Sequence, residues 1–65
     1  MNLRTIRMRE VRVGDKIRDT VNSENGGWAP VFVQKTVGGT TTLYTESFQV
    51  EKRADEATTV VREVA

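Results

Sequence analysis

The chain contains neither cysteine nor histidine. Without cysteine no disulfide can brace the fold and no thiolate can hold zinc. The same absence suits a reducing cytoplasm, which is the expected location. Without histidine the commonest general base and metal ligand is missing, leaving carboxylates and lysines as the bases. Proline occurs once, at Pro30, and the aromatics are Trp28, Phe32, Tyr44 and Phe48 alone. No apolar run comes near the roughly 18 residues that a membrane-spanning helix requires. Arginine interrupts the first residues every few positions, so no secretory leader is expected there.

A chain of 65 residues is expected to form a single domain, 1–65, and buries only about 60% of its unfolded surface. Its core must be one small cluster. What the sequence has in plenty is β-branched residues: valine and threonine supply 19 of the 65 positions, a composition that suits pleated surfaces better than helices. The net charge of +1 conceals a split. Residues 1–18 hold six basic groups against two acidic, whereas residues 19–65 hold four against seven. Such asymmetry points weakly to a polyanion or an acidic partner on one face.

Apolar and polar residues alternate from Asn2 to Met8, which predicts a strand. Arg9-Glu10-Val11 reads as a short turn or a single helical turn. Lys16 to Val21 alternates again, with Ile17, Asp19 and Val21 on one side. Asn22 to Gly27 is composed of turn formers. Trp28 to Val37 reads as the longest strand, beginning at an edge or with a bulge near Pro30, which has no N–H for a ladder. Gly38-Gly39 is a two-residue hairpin signal before a return strand over Thr40 to Thr45. Glu46-Ser47 marks another turn, and Phe48, Val50 and Lys52 share a face of the next strand. Residues 53–57 break the pattern as a single helical turn, and Thr58 to Val64 closes the chain. The expected core is Leu3 or Ile6, Val11, Val13, Ile17, Val31, Val33, Leu43, Phe48, Val50 and Val60, with Val64 as a further candidate. Short strands punctuated in this way argue an all-β barrel or rolled sheet.

The order of Val11, Val13, Gly14, Asp15 and Ile17, then Trp28 and Val31, then a strand pair across Gly38-Gly39, resembles the small Src-homology-3-like barrels found as uncharacterised proteins of actinobacteria and their phages. The late RADEATTVVREV is similar to the closing turn and strand of that group. The resemblance implies a small barrel of five or six short antiparallel strands and says little about activity. A Val-Gly-Asp corner also occurs in self-splicing hedgehog and intein modules, but those use a nucleophilic Cys or Ser and usually a His. Read from the residues, Gly14-Asp15 is a structural corner: glycine permits the turn, and the aspartate accepts hydrogen bonds from backbone N–H groups two or three residues on.

Catalytic chemistry is poorly supplied. Asp15, Asp19 and Glu24 lack the spacing of a calcium loop, and Glu51, Asp55 and Glu56 sit among Lys52 and Arg53 as a solvated turn would. Neither glycine pair forms a phosphate loop. Plasmid-borne dihydrofolate reductases build an active pore from such barrels with a Val-Gln-Ile-Tyr stretch, which SFQVE at 47–51 does not reproduce. The expectation is therefore a protein that is not an enzyme, with no cofactor, metal, membrane or small-molecule substrate. The leading reading is a binding module, a phage or accessory-gene product docking on a protein partner through Trp28, Phe32 and Tyr44, whose parity sets them apart from Val31, Val33 and Leu43. The alternative is nucleic-acid binding through Arg12, Lys16 and Arg18, with Arg7 and Arg9 nearby. The third is a structural or self-assembling protein, in which the threonine run at 40–42 pairs as an edge with a second copy.

Overall fold

A computed structural model of the chain describes residues 2–19 and 27–63. Val21, Val64 and the expected loop as far as residue 26 lie outside the described residues. The described chain is all β, but it forms seven strands rather than five or six, in two antiparallel sheets that do not close into a barrel. The strands are β1 (Leu3–Arg7), β2 (Lys16–Arg18), β3 (Trp28–Pro30), β4 (Val33–Val37), β5 (Thr40–Tyr44), β6 (Gln49–Arg53) and β7 (Ala57–Val61). One sheet has the order β1-β7-β2-β3 and the other β4-β5-β6.

The extra strand arises because the expected run from Trp28 to Val37 divides. The Val31 N–H donates to the Asp15 carbonyl at 2.8 Å and the Gly14 N–H donates to the Val31 carbonyl at 2.9 Å, which prolongs the β2–β3 ladder. One residue later the Phe32 N–H donates to the Tyr44 carbonyl at 2.8 Å. The chain thus leaves one sheet for the other between Val31 and Phe32. Val33 is also in register with Tyr44, so two residues of one strand oppose one of its neighbour. That is a β-bulge, and a bulge shifts side-chain parity. Hence Val31 is fully buried while Val33 is 51% exposed, against the expectation that both lie in the core.

Val13, also expected inside, is 65% exposed. The Asp15 N–H closes a turn on the Arg12 carbonyl at 3.0 Å, and Gly14 at its third position has φ +98°. This is the signature of a type II turn, which points its second residue outward. Leu3 is exposed as well, so Ile6, partly buried, is the inward residue of β1. The core consists of Met8, Val11, Ile17, Val31, Leu43 and Val60, with Ile6, Phe48 and Val50 packed against it. Met8 is the omission from the expected list. It stands in a short 3₁₀ turn, Met8–Glu10, whose preceding Arg7 N–H donates to Glu10 Oε1 at 3.1 Å.

Gly38 and Gly39 both have positive φ, +57° and +82°, as a type I′ hairpin turn requires, and they join Val37 to Thr40 in register. Thr45 and Phe48 close the next turn through their main chains at 2.9 Å and through the Thr45 hydroxyl. Residues 53–57 are not a helical turn: Arg53 ends β6, Ala57 begins β7, and the Glu56 N–H donates to the Arg53 carbonyl between them. Thr40–Tyr44 is not an edge either. It is the central strand of its sheet, and Thr41 is fully buried.

Candidate functional site

Two polar ties hold the sheets in place around one open groove. The first is the corner. Asp15, almost wholly buried, accepts from the Arg12 N–H at 2.8 Å, three residues back rather than two or three on. Its carboxylate also receives a two-pronged contact from Arg62, with Nε at 2.9 Å from Oδ1 and Nη2 at 2.7 Å from Oδ2. Arg62 Nη2 donates in addition to the Glu10 carbonyl at 3.2 Å. The hydrogen bond from Arg62 holds the Asp15 carboxyl below the ordinary aspartate value; burial opposes this, and the Arg12 N–H and the two guanidinium charges reinforce it. The corner is therefore structural, and it fastens the end of β7 to the start of β2.

The second tie is Gln34. Its amide nitrogen donates to the Arg9 carbonyl at 2.7 Å and the Val11 carbonyl at 3.1 Å, joining β4 to the segment after β1. The Thr36 hydroxyl donates to Gln34 Oε1 at 3.2 Å and lies 2.9 Å from the Thr41 hydroxyl. With its one proton committed to Gln34, Thr36 accepts from Thr41.

Because the sheets do not close on each other, a groove of about 600 Å³ opens between them. Leu3, Ile17, Trp28, Leu43 and Val50 give it an apolar lining, Thr58 and Thr59 add hydroxyls, and among the described residues Arg18 and Lys52 are its two charged ones. The lining comes from six of the seven strands. Three of them, β1, β3 and β6, are sheet edges, and the edges of β1 and β6 are open. Hydrogen-bonded pairs in the β5–β6 ladder run through Thr45–Phe48 and Gly39–Ala54, so the main-chain groups of Gln49 and Glu51 face away from β5. By the same alternation from Asn2–Arg62 and Met8–Glu56, those of Leu3 and Thr5 face away from β7. Among the described residues no further strand meets either edge.

The three aromatics singled out from the sequence do not form one patch. Trp28, half-buried on β3, lines the groove, with the Arg18 guanidinium 4.7 Å from the centre of its ring. Tyr44 faces out of the other sheet and lines a shallow depression with Lys35, Val37 and Glu51. Phe32 is exposed at the bulge, bonded through its main chain to Tyr44.

The basic residues are also dispersed. Lys16 and Arg18 flank buried Ile17 in the alternation of β2, but Arg18 turns onto Trp28 at the groove and Lys16 does not. Arg12 belongs to the type II turn, outside the strand, but it lines one shallow depression with Lys16, Arg62, Asp15 and Glu63, apart from Arg18. Lys16 lies 3.7 Å from Glu63, Arg9 is in the 3₁₀ turn, and Arg7 is exposed on β1. Among the described residues no three of Asp, Glu, His or Cys gather as a metal site, and no helix is long and apolar enough to cross a membrane.

Sequence reasoning missed Arg62 and Gln34. Asp15 is a signal for a partner, since a buried carboxylate needs one, but nothing local distinguishes Arg62, 47 residues away, from the other bases. What the fold and the groove define is a small all-β domain of two facing antiparallel sheets, open along one side. Comparison with protein-family models, with curated proteins and with solved structures finds no match to this chain.

Proposed function

We propose that this chain is a non-catalytic binding module, of Src-homology-3-like type, that docks on a protein partner through the groove between its sheets. The observation that carries the reading is the groove itself. It is concave, apolar and fitted with a tryptophan at its rim, which is the composition of a binding hot spot rather than of a solvated barrel exterior. The transfer of the chain between sheets at Val31–Phe32 and the pairing of β1 with β7 support a rolled, barrel-like arrangement. The scarcity of catalytic groups supports a binding role over an enzymatic one. Of the aromatics, Trp28 is the contact residue, while Phe32 and Tyr44 belong to a separate surface and are secondary.

The nucleic-acid reading has less behind it. Arg18 is stacked on Trp28, away from the depression that Arg12 and Lys16 line together, and there Asp15 and Glu63 answer the basic charge. Affinity capture separates the readings when wild type, Trp28→Ser and Tyr44→Ser baits are compared with and without nuclease. The expected result is a protein recovered by wild type and Tyr44→Ser, lost with Trp28→Ser and indifferent to nuclease. Recovery that ignores Trp28, or that nuclease abolishes, overturns the proposal.

A further inference from the structure

The charge of the groove says what kind of partner segment it takes. Among the described residues its lining contains two cations and no carboxylate, in a protein whose net charge is only +1. The two cations are not equivalent. Lys52 lies 3.6 Å from Glu56, so part of its charge is already answered. Arg18 is held in place instead: its guanidinium lies over the Trp28 ring, and its Nη1 is the nearest atom to the space that a Cβ on Gly27 would occupy, 3.4 Å away. A cation fixed by a ring face and a glycine surface keeps its charge and loses little freedom on binding. The groove bottoms on the core, where Ile17 and Leu43 are almost wholly buried, and its accessible apolar surface is that of Leu3, Trp28 and Val50. Along its sides run the open edges of β1 and β6, with the main-chain groups of Leu3, Thr5, Gln49 and Glu51 turned away from their own sheets.

From these features, and resting on the binding-module reading, we infer that the groove takes an extended acidic segment of a partner protein. An apolar side chain of that segment seats against Leu3, Trp28 and Val50, and a carboxylate next to it pairs with Arg18. The edges argue for a peptide in particular, because an extended chain gains main-chain hydrogen bonds from an open strand that a compact ligand does not. The volume, about 600 Å³, lies within the range of pockets that enclose ligands of a few residues' size. Complementary charge also confers discrimination, since a basic segment would meet Arg18 and Lys52 with repulsion.

The test is a ¹⁵N-resolved titration of the full chain with three synthetic peptides that share a central Leu-Phe: one flanked by glutamates, one by glutamines, one by lysines. Emission from Trp28, the sole tryptophan, is followed in parallel. The glutamate peptide is expected to shift the amides of Leu3, Arg18, Trp28 and Val50 and to bind about tenfold more tightly than the glutamine peptide. Added salt should erode that margin. Arg18→Gln should remove most of it, and amide shifts outside the groove that match those of wild type distinguish lost charge from lost folding. If all three peptides bind the groove equally, the acidic preference is overturned while the binding-module reading stands. If no peptide perturbs the groove amides, or the shifts cluster at Tyr44 and Phe32, both fail together.

Discussion

The two sheets of this protein are built in opposite ways. β4, β5 and β6 follow one another in the chain and are joined by connections of two and four residues, so each pairing is local. The sheet β1-β7-β2-β3 brings the first strand beside the last and then inserts the last between the first and second. Its pairings close long loops, an ordering cost that must be met before any contact is gained. The difference shows in the side chains. The local sheet is registered by its turns. The non-local sheet is fastened across great sequence distance by Arg62 on Asp15, and Gln34 ties the local sheet to the segment after β1 at the Arg9 and Val11 carbonyls.

That contrast can be broken by substitution, and the largest effect should not discriminate between the sheets at all. Leu43 in the local sheet and Val60 in the non-local one meet in a single core. Leu43→Ala should cost about 3 kcal/mol, enough to leave much of so small a domain unfolded, and Val60→Ala should be the milder of the two. Urea denaturation followed by circular dichroism measures both. If each sheet melted in its own transition, the idea of one shared core would fail.

Asp15→Asn comes next. It removes a buried acceptor of charged hydrogen bonds and should cost about 2 kcal/mol, with a second consequence in pH. The Asp15 carboxyl titrates below its ordinary value in the folded protein. Its stabilising contribution is therefore complete above about pH 4, the unfolded value, and is lost as the pH falls through the lower folded value. Wild type should lose stability in that acid window and Asp15→Asn should lose less. Thermal unfolding measured at steps between neutral and acid pH would reveal it, and parallel profiles for the two proteins would show that the corner carries no such charge dependence.

Gln34→Ala sharpens the comparison from the other tie. Two hydrogen bonds to the Arg9 and Val11 carbonyls disappear, for about 1–2 kcal/mol, and amide exchange should accelerate in residues 8–11 more than in the β5–β6 turn. Smaller still is Gly14→Ala. A Cβ there meets nothing within 4 Å, so only the backbone conformation at φ +98° is penalised, by about 1 kcal/mol. Gly14→Asn should recover part of it, because asparagine tolerates positive φ better than alanine does. At the bottom of the scale, Val37→Thr on the exposed outer face of β4 should move the melting midpoint within about 0.5 kcal/mol of wild type. A large loss there would mean that this face is covered by something in solution.

The local sheet was the more legible one, and particular residues show why. Gly38-Gly39 announces its own geometry, because two successive positive-φ positions between β-branched runs favour a hairpin turn. Thr45 to Phe48 is similarly self-contained. From those turns the register follows, and with it the inward direction of Leu43 and Val50. Parity failed where the chain changed sheet. Pro30 hinted at a bulge, yet its position, at Phe32–Val33, depended on how residue 31 met Asp15 and residue 32 met Tyr44. That single displacement placed Val33 outside. It also leaves the aromatics divided, with Trp28 in the groove and Tyr44 on the far side of the second sheet.

The amino-acid sequence by itself determined the β class, the hairpin positions, the glycine corner and most of the core, because each depends on backbone preferences and on a two-residue alternation confined to a few neighbouring positions. Only the tertiary structure decided that Arg62 would answer Asp15, that β7 would lie between β1 and β2, and that the sheets would part to leave a groove. Those outcomes depend on which distant segments meet, and alternation within a strand carries no record of the strand it will lie beside.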